Sequence, residues 1–442
     1  MLLFLFIGFL LVLYAFFSYK KAFIAFIAFS LILNQNINLV NLPGLPLLTL
    51  NLSLCLIFWG LFLFKRTRID RCREPFPLKT AMLLLVGSVF LSSLVGLAGP
   101  TKALPSFIGT AFEDYIMVWL VWVVIKDEKD YAFLLKMVGF VILISCVYGL
   151  YEAFTHTNPL IDYEINNAGN ASGKVVDFRY DEAGGRGYRV QSLFSHAIGA
   201  GMIWMTFFVM VVYLYSRFKR AFKIDYAWYL ALGVFCAFCA FTTNSRSPIF
   251  FMIVCMLPLF NIRKKQNLML LGAIVVFACI LFSYNSGALQ NLTSLFDSSA
   301  QAKVGGSDAA QRLLQLNAAF EIFREHMWFG IGPHGMEFYH DPTTIDSLLG
   351  LESMWLRTIV EQGLIGVLAT LFLIYTLVFK LGIFARNYLV FFLSAAFFMT
   401  SSMTSLPGFS MCLFYAFLFM LIKFSRRQSS TPGLNSLVIP DE

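Results

Sequence analysis

The residue types from which a site could be built sit in a few polar stretches of the chain. "GGRGYRVQSLFSHAIGAG" (184–201) offers Arg186 and Arg189, then His196 at the head of an apolar run whose Gly199 and Gly201 permit close packing. "TTNSRSP" (242–248) holds Arg246, and "SDAAQRLLQLNAAFEIFREHMWFGIGPHG" (307–335) holds Arg312, His326 and His334, with His340 a little further on. "ESMWLRTIVEQGLIG" (352–366) opens on Glu352 and Ser353, continues through Trp355 and the i,i+4 pair Arg357 and Glu361, and ends on Gly363 and Gly366. A guanidinium is a planar fork of donors that fits phosphate oxygens two at a time. A carboxylate can accept a proton in a group transfer. Each residue also has a plainer reading. An arginine near a membrane surface can snorkel to headgroups. Ser247 before Pro248 reads as a helix cap and first turn. Glu352 at a helix entrance is a good partner for the helix dipole. His326, His334 and His340 are spaced by eight and six residues, which fits no familiar zinc site, and no cysteine joins them, so no metal is expected.

The elements that must position these residues are apolar helices. Hydrophobic residues make up 59% of the chain and charged ones 13%, a balance that a soluble protein of 442 residues could not cover. The runs recur along nearly the whole length without strand-like alternation, so the expected fold is an all-α polytopic membrane protein with about 12–13 transmembrane helices. They fall near 2–17, 22–33, 47–64, 80–98, 106–125, 131–151, 196–216, 225–241, 248–260, 268–284, 363–380, 388–405 and 408–422, the second being short for a span. The N-terminal run lacks a basic region and a cleavage site and reads as a retained helix. "KRTRIDRCR" (65–73), "RFKR" (217–220), "RKK" (263–265) and "KFSRR" (423–427) share one side if the helices alternate, which makes that side cytoplasmic. The net charge of +8 is thereby a topology signal, and no nucleic-acid partner is expected. The eight cysteines lie in apolar runs apart from Cys72, and the Cys236/Cys239 pair reads as packing.

Two long polar segments then face outward, 152–195 and 285–352. The chain divides into N-terminal transmembrane helices (1–151), the first outer loop (152–195), central helices (196–284), a large outer loop (285–352) with an amphipathic helix at 308–328, C-terminal helices (353–427) and a cytoplasmic tail (428–442) expected to be disordered. On the amphipathic helix Leu313, Leu316, Phe320, Phe323 and Met327 repeat at helical spacing, giving an apolar stripe for the bundle or the membrane surface. Arginines from distant parts of the chain but one membrane face suit a lipid-linked diphosphate; ordinary surface charge is the plainer account of the set.

The order of these motifs resembles the O-antigen polymerase and ligase family of polytopic bacterial glycosyltransferases over roughly residues 180–425. The pattern is an outer-loop arginine before a helix, an "SR" turn, and a long outer loop with an arginine-bearing helix, a "GxG" turn (Gly330 to Gly332) and a final polar-to-apolar segment. The ligases carry a histidine, then Asn, Ser or Gln, then nine residues, then GxxG. Here Ser353, nine residues, Gly363 and Gly366 keep that register, but Glu352 stands at the histidine position, which points to a polymerase. The resemblance implies a GT-C-like fold and a metal-independent transferase that needs no cofactor. It implies a multi-pass protein of the bacterial inner membrane with its site on the outer face. Its substrate would be an undecaprenyl-diphosphate-linked oligosaccharide, with the bilayer and a chain-length-determining membrane protein as further partners. Arg189 and Arg312 take the family's paired essential-arginine roles, and Arg246 matches the "SR" turn. Glu352 becomes the candidate base, and Arg186, His196, His334, His340, Ser353 and Trp355 become candidate substrate contacts. Trp328, Phe338, Tyr339 and Trp355 could stack on sugars. The alternatives are a ligase that tolerates Glu352, and a transporter of a lipid-linked glycan that uses Glu113 and Asp114 in the run 106–125 as coupling carboxylates.

Overall fold

The computed structural model describes residues 2–33, 38–40, 48–69, 71–167, 188–194, 196–219, 224–259, 309–348, 353–404 and 411–430. Arg186, Glu352, the expected helix at 268–284 and the tail beyond residue 430 lie outside the described residues. The helices in chain order are α1 (Leu2–Phe17), α2 (Tyr19–Phe29), α3 (Leu50–Lys65), α4 (Lys79–Val95), α5 (Pro100–Thr110), α6 (Met117–Val124), α7 (Glu128–Thr155), α8 (Pro159–Asn167), α9 (Ala197–Phe218), α10 (Tyr226–Thr242), α11 (Arg246–Met256), α12 (Ala309–Glu325), α13 (Pro342–Ser347), α14 (Met354–Ile374), α15 (Tyr388–Met403) and α16 (Met411–Ser430). A π-helix, Ala111–Ile116, joins α5 to α6, and another, Tyr375–Phe384, continues α14. A small antiparallel hairpin, β1 (Asn38–Val40) with β2 (Leu48–Thr49), is the one sheet among the described residues. Four of the helical stretches are long and apolar enough to cross a membrane, Pro100–Val124, Glu128–Thr155, Ala197–Phe218 and Met354–Phe384, and shorter apolar helices surround them. The protein is an all-α polytopic membrane protein.

The most enclosed of these helices is α9, which has Trp204 and Tyr213 fully buried and packs against α10 and α11. Gly201 makes the α11 approach possible: a Cβ there would stand 2.6 Å from the Pro248 ring. The second helix is buried too. Ala22, Ala25 and Ala28 recur every three residues and let neighbours close in, while Phe23 and Phe26 meet Phe58 of α3 at ring-centroid distances of 5.9 and 4.9 Å. On the side rich in lysine and arginine, lysines tie helix ends together. Lys20 pairs with Asp130 at 2.6 Å. Lys423, buried in α16, donates to the Trp122 and Ile125 carbonyls at 2.9 and 2.5 Å, satisfying the C-terminal end of α6.

Two expectations are corrected and a third is narrowed. The helix expected at 363–380 begins at Met354 and breaks at Gly363. Ser245, not Ser247, stands at the N-cap position of α11, because the helix starts at Arg246 and takes Pro248 into its first turn. The amphipathic helix α12 packs a different face on the bundle and leaves its apolar stripe exposed, so of the two expected places for that stripe the bundle is excluded. Gln315, Ala318, Ala319 and Ile322 face inward, while Leu313, Leu316, Phe320 and Met327 are exposed. Small residues win the inward face because α12 lies close on α14, and two alanines leave room for that approach.

The break at Gly363 organises one end of the bundle. Its φ of 59° and ψ of −152° belong to a region open essentially to glycine alone. The chain that follows α12 crosses the break and takes up the backbone groups it frees. Ile331 and Gly332 N–H donate to the Val360 and Glu361 carbonyls at 2.8 and 3.0 Å, and Leu364 and Ile365 N–H donate to the Met327 and Trp328 carbonyls at 2.8 and 3.2 Å. Helix α4 closes the third side. Its Ser92 hydroxyl donates to the Glu361 carbonyl, its Ser88 hydroxyl donates to Gln362 Oε1 at 2.9 Å, and just beyond its end Leu97 N–H donates to the Ile331 carbonyl at 2.9 Å. Two glycines three residues apart on a helix, such as Gly363 and Gly366, ordinarily admit a neighbouring helix. What Gly363 admits is the backbone of a crossing loop, since a Cβ there would lie 2.6 Å from both Gly330 N and Met327 O.

Gly363→Ala should therefore fail although alanine is small. Backbone strain of about 1–3 kcal/mol adds to the steric clash. We expect a clear drop in melting temperature in detergent, read by fluorescence-detected size exclusion. An unchanged melting temperature would mean that residue 363 is an ordinary helical position.

Candidate functional site

The C-terminal ends of α7 and α10 and the N-terminal ends of α9 and α11 meet around the segment 188–194. Glu152, three residues before the end of α7, is fully buried and receives donors from every side. Gln191 and Ser192 N–H reach it at 3.1 and 2.6 Å, and the Tyr188 hydroxyl and Asn158 Nδ2 each at 3.0 Å. Asn158 also donates to the Ser192 carbonyl at 2.9 Å, and the Ser192 hydroxyl donates to the Ser145 carbonyl at 2.6 Å. A buried carboxylate is tolerable only when so surrounded. Its effect is to fix the segment that carries Arg189.

That segment is stitched to the turn between α10 and α11. Val190 N–H donates to the Thr242 carbonyl at 3.3 Å, Asn244 Nδ2 donates to the Tyr188 carbonyl at 2.9 Å, and Arg189 Nη2 donates to Ser245 Oγ at 3.1 Å. Arg189 is thus brought beside Arg246, the first residue of α11. Ser245 makes no side-chain cap, because its hydroxyl accepts from Arg189 and donates to the Thr243 carbonyl at 3.1 Å. The Arg189 guanidinium therefore stands at a helix N-terminus with no side-chain cap, a place where the helix dipole favours an anion, and Arg246 is the first residue of that helix.

His196 stands at the same rim and caps α9, its Nδ1 accepting the Ile198 N–H at 3.0 Å. That bond needs an unprotonated Nδ1. Burial, helped by the charge of Arg189, pushes its pKa from 6.5 down to about 4.

The other candidates are distributed differently. Arg312 is exposed near the start of α12, which packs on α14 and α13. His334 and His340 are exposed and lie near Glu337 (3.3 Å) and Glu325 (3.7 Å). Ser353 is the N-cap residue of α14 without a side-chain cap bond. Trp355 donates its indole N–H to Ser402 of α15 at 2.8 Å, which fixes the ring against that helix. Because α15 also packs along α11, the entrance of α14 and the head of α11 border the same helix. Glu152 is the residue that sequence reasoning passed over. The available signal was an acid at the end of a long apolar run, "VYGLYEAFTHTNP".

The fold is that of an all-helical membrane protein, and it brings Arg189 to the Ser245–Arg246 turn. Residues 231–371 match the family model Wzy_C, O-antigen ligase, which supports the O-antigen ligase/polymerase family of glycan-transferring enzymes. The matched segment holds Arg246, Arg312, the Gly330–Gly332 turn and the Gly363 break, while Arg189, His196 and Glu152 lie outside it. No curated protein matches the chain.

Two outcomes follow. Glu152→Gln places an amide donor against a cage of donors, so it should destabilise by about 1–3 kcal/mol and loosen the 188–192 segment. Amide exchange measured by mass spectrometry should rise there first; unaltered exchange would exclude Glu152 as the anchor of Arg189. The second concerns pH. Above pH 6.5 His196 is neutral in both folded and unfolded chains. As pH falls from 6.5 toward 4 the unfolded chain takes up a proton and the folded chain does not, so stability drops by roughly 2–4 kcal/mol in all. His196→Asn keeps a capping acceptor and should flatten this part of the stability–pH curve; an equally steep curve in the variant would assign the loss to other groups.

Proposed function

We propose that the protein is a polymerase that joins lipid-diphosphate-linked oligosaccharide repeats into a surface polysaccharide on the outer face of the cytoplasmic membrane. The observation that carries this reading is the pairing of Arg189 with the Ser245–Arg246 turn at the head of α11. In such a transfer an acceptor hydroxyl attacks the anomeric carbon of the donor. The new glycosidic C–O bond forms as the bond to the diphosphate breaks, and the electron pair leaves with the lipid diphosphate. Charge grows on the diphosphate oxygens, where preorganised guanidiniums and helix N–H groups stabilise it most. Arg312 is assigned to the same anion. The acceptor proton passes to Glu352, immediately before the N-cap residue of α14, in the carboxylate role proposed for that position. Arg186, His196, His334, His340, Ser353 and Trp355 are assigned to the surrounding substrate contacts, and a chain-length-determining membrane protein is the proposed partner.

A ligase that moves finished glycan to another acceptor is the second reading, favoured by the description of the matching family. Lipid-linked glycans extracted from a deletion strain decide between them: single repeat units accumulate if the protein polymerises, long chains if it ligates. In the same assay Arg189→Lys should restore little product, because an ammonium cannot reproduce a two-pronged contact, and activity should fall at least about a hundredfold. Near-normal product from Arg189→Lys would reduce this arginine to general surface charge.

A further inference from the structure

The C-terminal end of α7 holds Glu152 and, through it, the Arg189 segment. Its N-terminal end, on the side rich in lysine, borders a different feature. Between α1, α2 and α7 runs a cleft of about 490 Å³, open along one side and lined by Ile7, Phe17, Ala25, Phe29, Phe133 and Met137 among other apolar side chains. Helix α2 forms its floor, since α2 packs on both α1 and α7. Charge stands at one end of this cleft. Lys21 lies one turn before Ala25 and two before Phe29 on the same face of α2, and Lys129 stands in the same relation to Phe133 and Met137 on α7. Lys136 lies beside Met137, two turns inside the spanning stretch Glu128–Thr155. All three lysines are exposed. The heads of the two walls are held together, because Lys20 pairs with Asp130 at 2.6 Å. The nearby acids are engaged: Asp130 also accepts the Lys126 N–H at 2.8 Å, Asp127 caps α7, and Glu128 sits in the first turn of α7, where the helix dipole favours it. Lys65 donates to the Ala15 and Phe16 carbonyls, both at 2.9 Å, and so offsets the negative end of α1 at the same rim. An exposed lysine inside a span, beside an apolar cleft, calls for an anion that lipid itself can supply.

We propose that this cleft binds an acidic glycerophospholipid from the leaflet on the lysine-rich side, with one acyl chain along the apolar walls and the phosphate against Lys21, Lys129 and Lys136. Length selects the occupant. From Phe17 to Ile7 the α1 wall rises about 15 Å, at about 1.5 Å per residue, which is half of a hydrocarbon core of about 30 Å. One leaflet's acyl chain fills that depth, whereas a polyprenyl chain is longer than one leaflet is deep. Charge selects the headgroup. Basic residues at the mouth of a cleft between membrane helices favour an acidic lipid over a zwitterionic one. The lipid would bridge α1 to α7 over the α2 floor. The site lies at the opposite end of α7 from Arg189, so it is separate from the arginine site and does not depend on the transferase reading.

The test uses the full-length protein in a neutral detergent and native mass spectrometry, with phosphatidylglycerol or phosphatidylcholine of the same acyl chains titrated in. We expect one phosphatidylglycerol to be retained at least about tenfold more tightly than phosphatidylcholine. The triple variant Lys21→Gln, Lys129→Gln, Lys136→Gln should bring the two lipids level; its lysines are exposed, so folding should survive. Leu13→Trp fills the cleft from its exposed α1 wall and is the second variant. It should weaken retention of both lipids, with an unchanged melting temperature in lipid-free detergent. A preference for phosphatidylglycerol that persists in the triple variant would overturn the headgroup site. So would an equal loss on neutralising the exposed Lys219, Lys380 and Arg386 elsewhere on the chain, which would reduce the effect to general surface charge. Stronger retention of polyprenyl phosphate than of phosphatidylglycerol, abolished by Leu13→Trp, would overturn the phospholipid as occupant.

Discussion

A helix that breaks inside a membrane frees backbone groups that lipid cannot satisfy, and one end of this protein is arranged around one such break. At Gly363 the α14 ladder is interrupted, and the turn at 327–332 takes the liberated groups, with Ser88 and Ser92 of α4 completing the set. Breaking a spanning helix is tolerable only because the repair is nearly complete. The same bonds anchor the large outer segment to the bundle, so the positions of α12, the Gly330–Gly332 turn and the entrance of α14 are not independent of one another. The glycines follow from this: Gly330, Gly332 and Gly363 all have positive φ, and at each a Cβ would meet backbone.

The same rule, that a polar group withdrawn from water must find partners, sets the arginine site. Glu152 of α7 gathers donors from Asn158 and the 188–192 segment, and its burial gives a fixed platform for Arg189. Ser245 then forgoes capping α11 in favour of Arg189. A helix head with no side-chain cap favours an anion, and this is the physical ground on which the donor diphosphate is proposed for this place.

Much of this was legible along the chain. Apolar run lengths gave the spanning class, and basic clusters marked a common side. Arg189, Arg246 and Arg312 stood out because arginine on the less basic side of a membrane protein needs a reason. The match to residues 231–371 agrees with the motif order read from "SR", "GxG" and GxxG. Less legible was which face a helix would use. The exposed stripe on α12 and the buried Gln315–Ala318–Ala319–Ile322 face have similar periodicity, and choosing between them depends on how near the neighbouring helix comes.

Sequence by itself determined what solvent the chain must live in, where helices run, and which charged residues are anomalous, because those depend on local composition and on transfer free energies that add residue by residue. Tertiary structure alone decided that Gly363 is a break and not a packing notch, that Ser245 and not Ser247 heads α11, and that Glu152 holds the segment behind Arg189. Each of these turns on a backbone group meeting a partner dozens of residues or more away, and such pairings leave no period in the sequence to read.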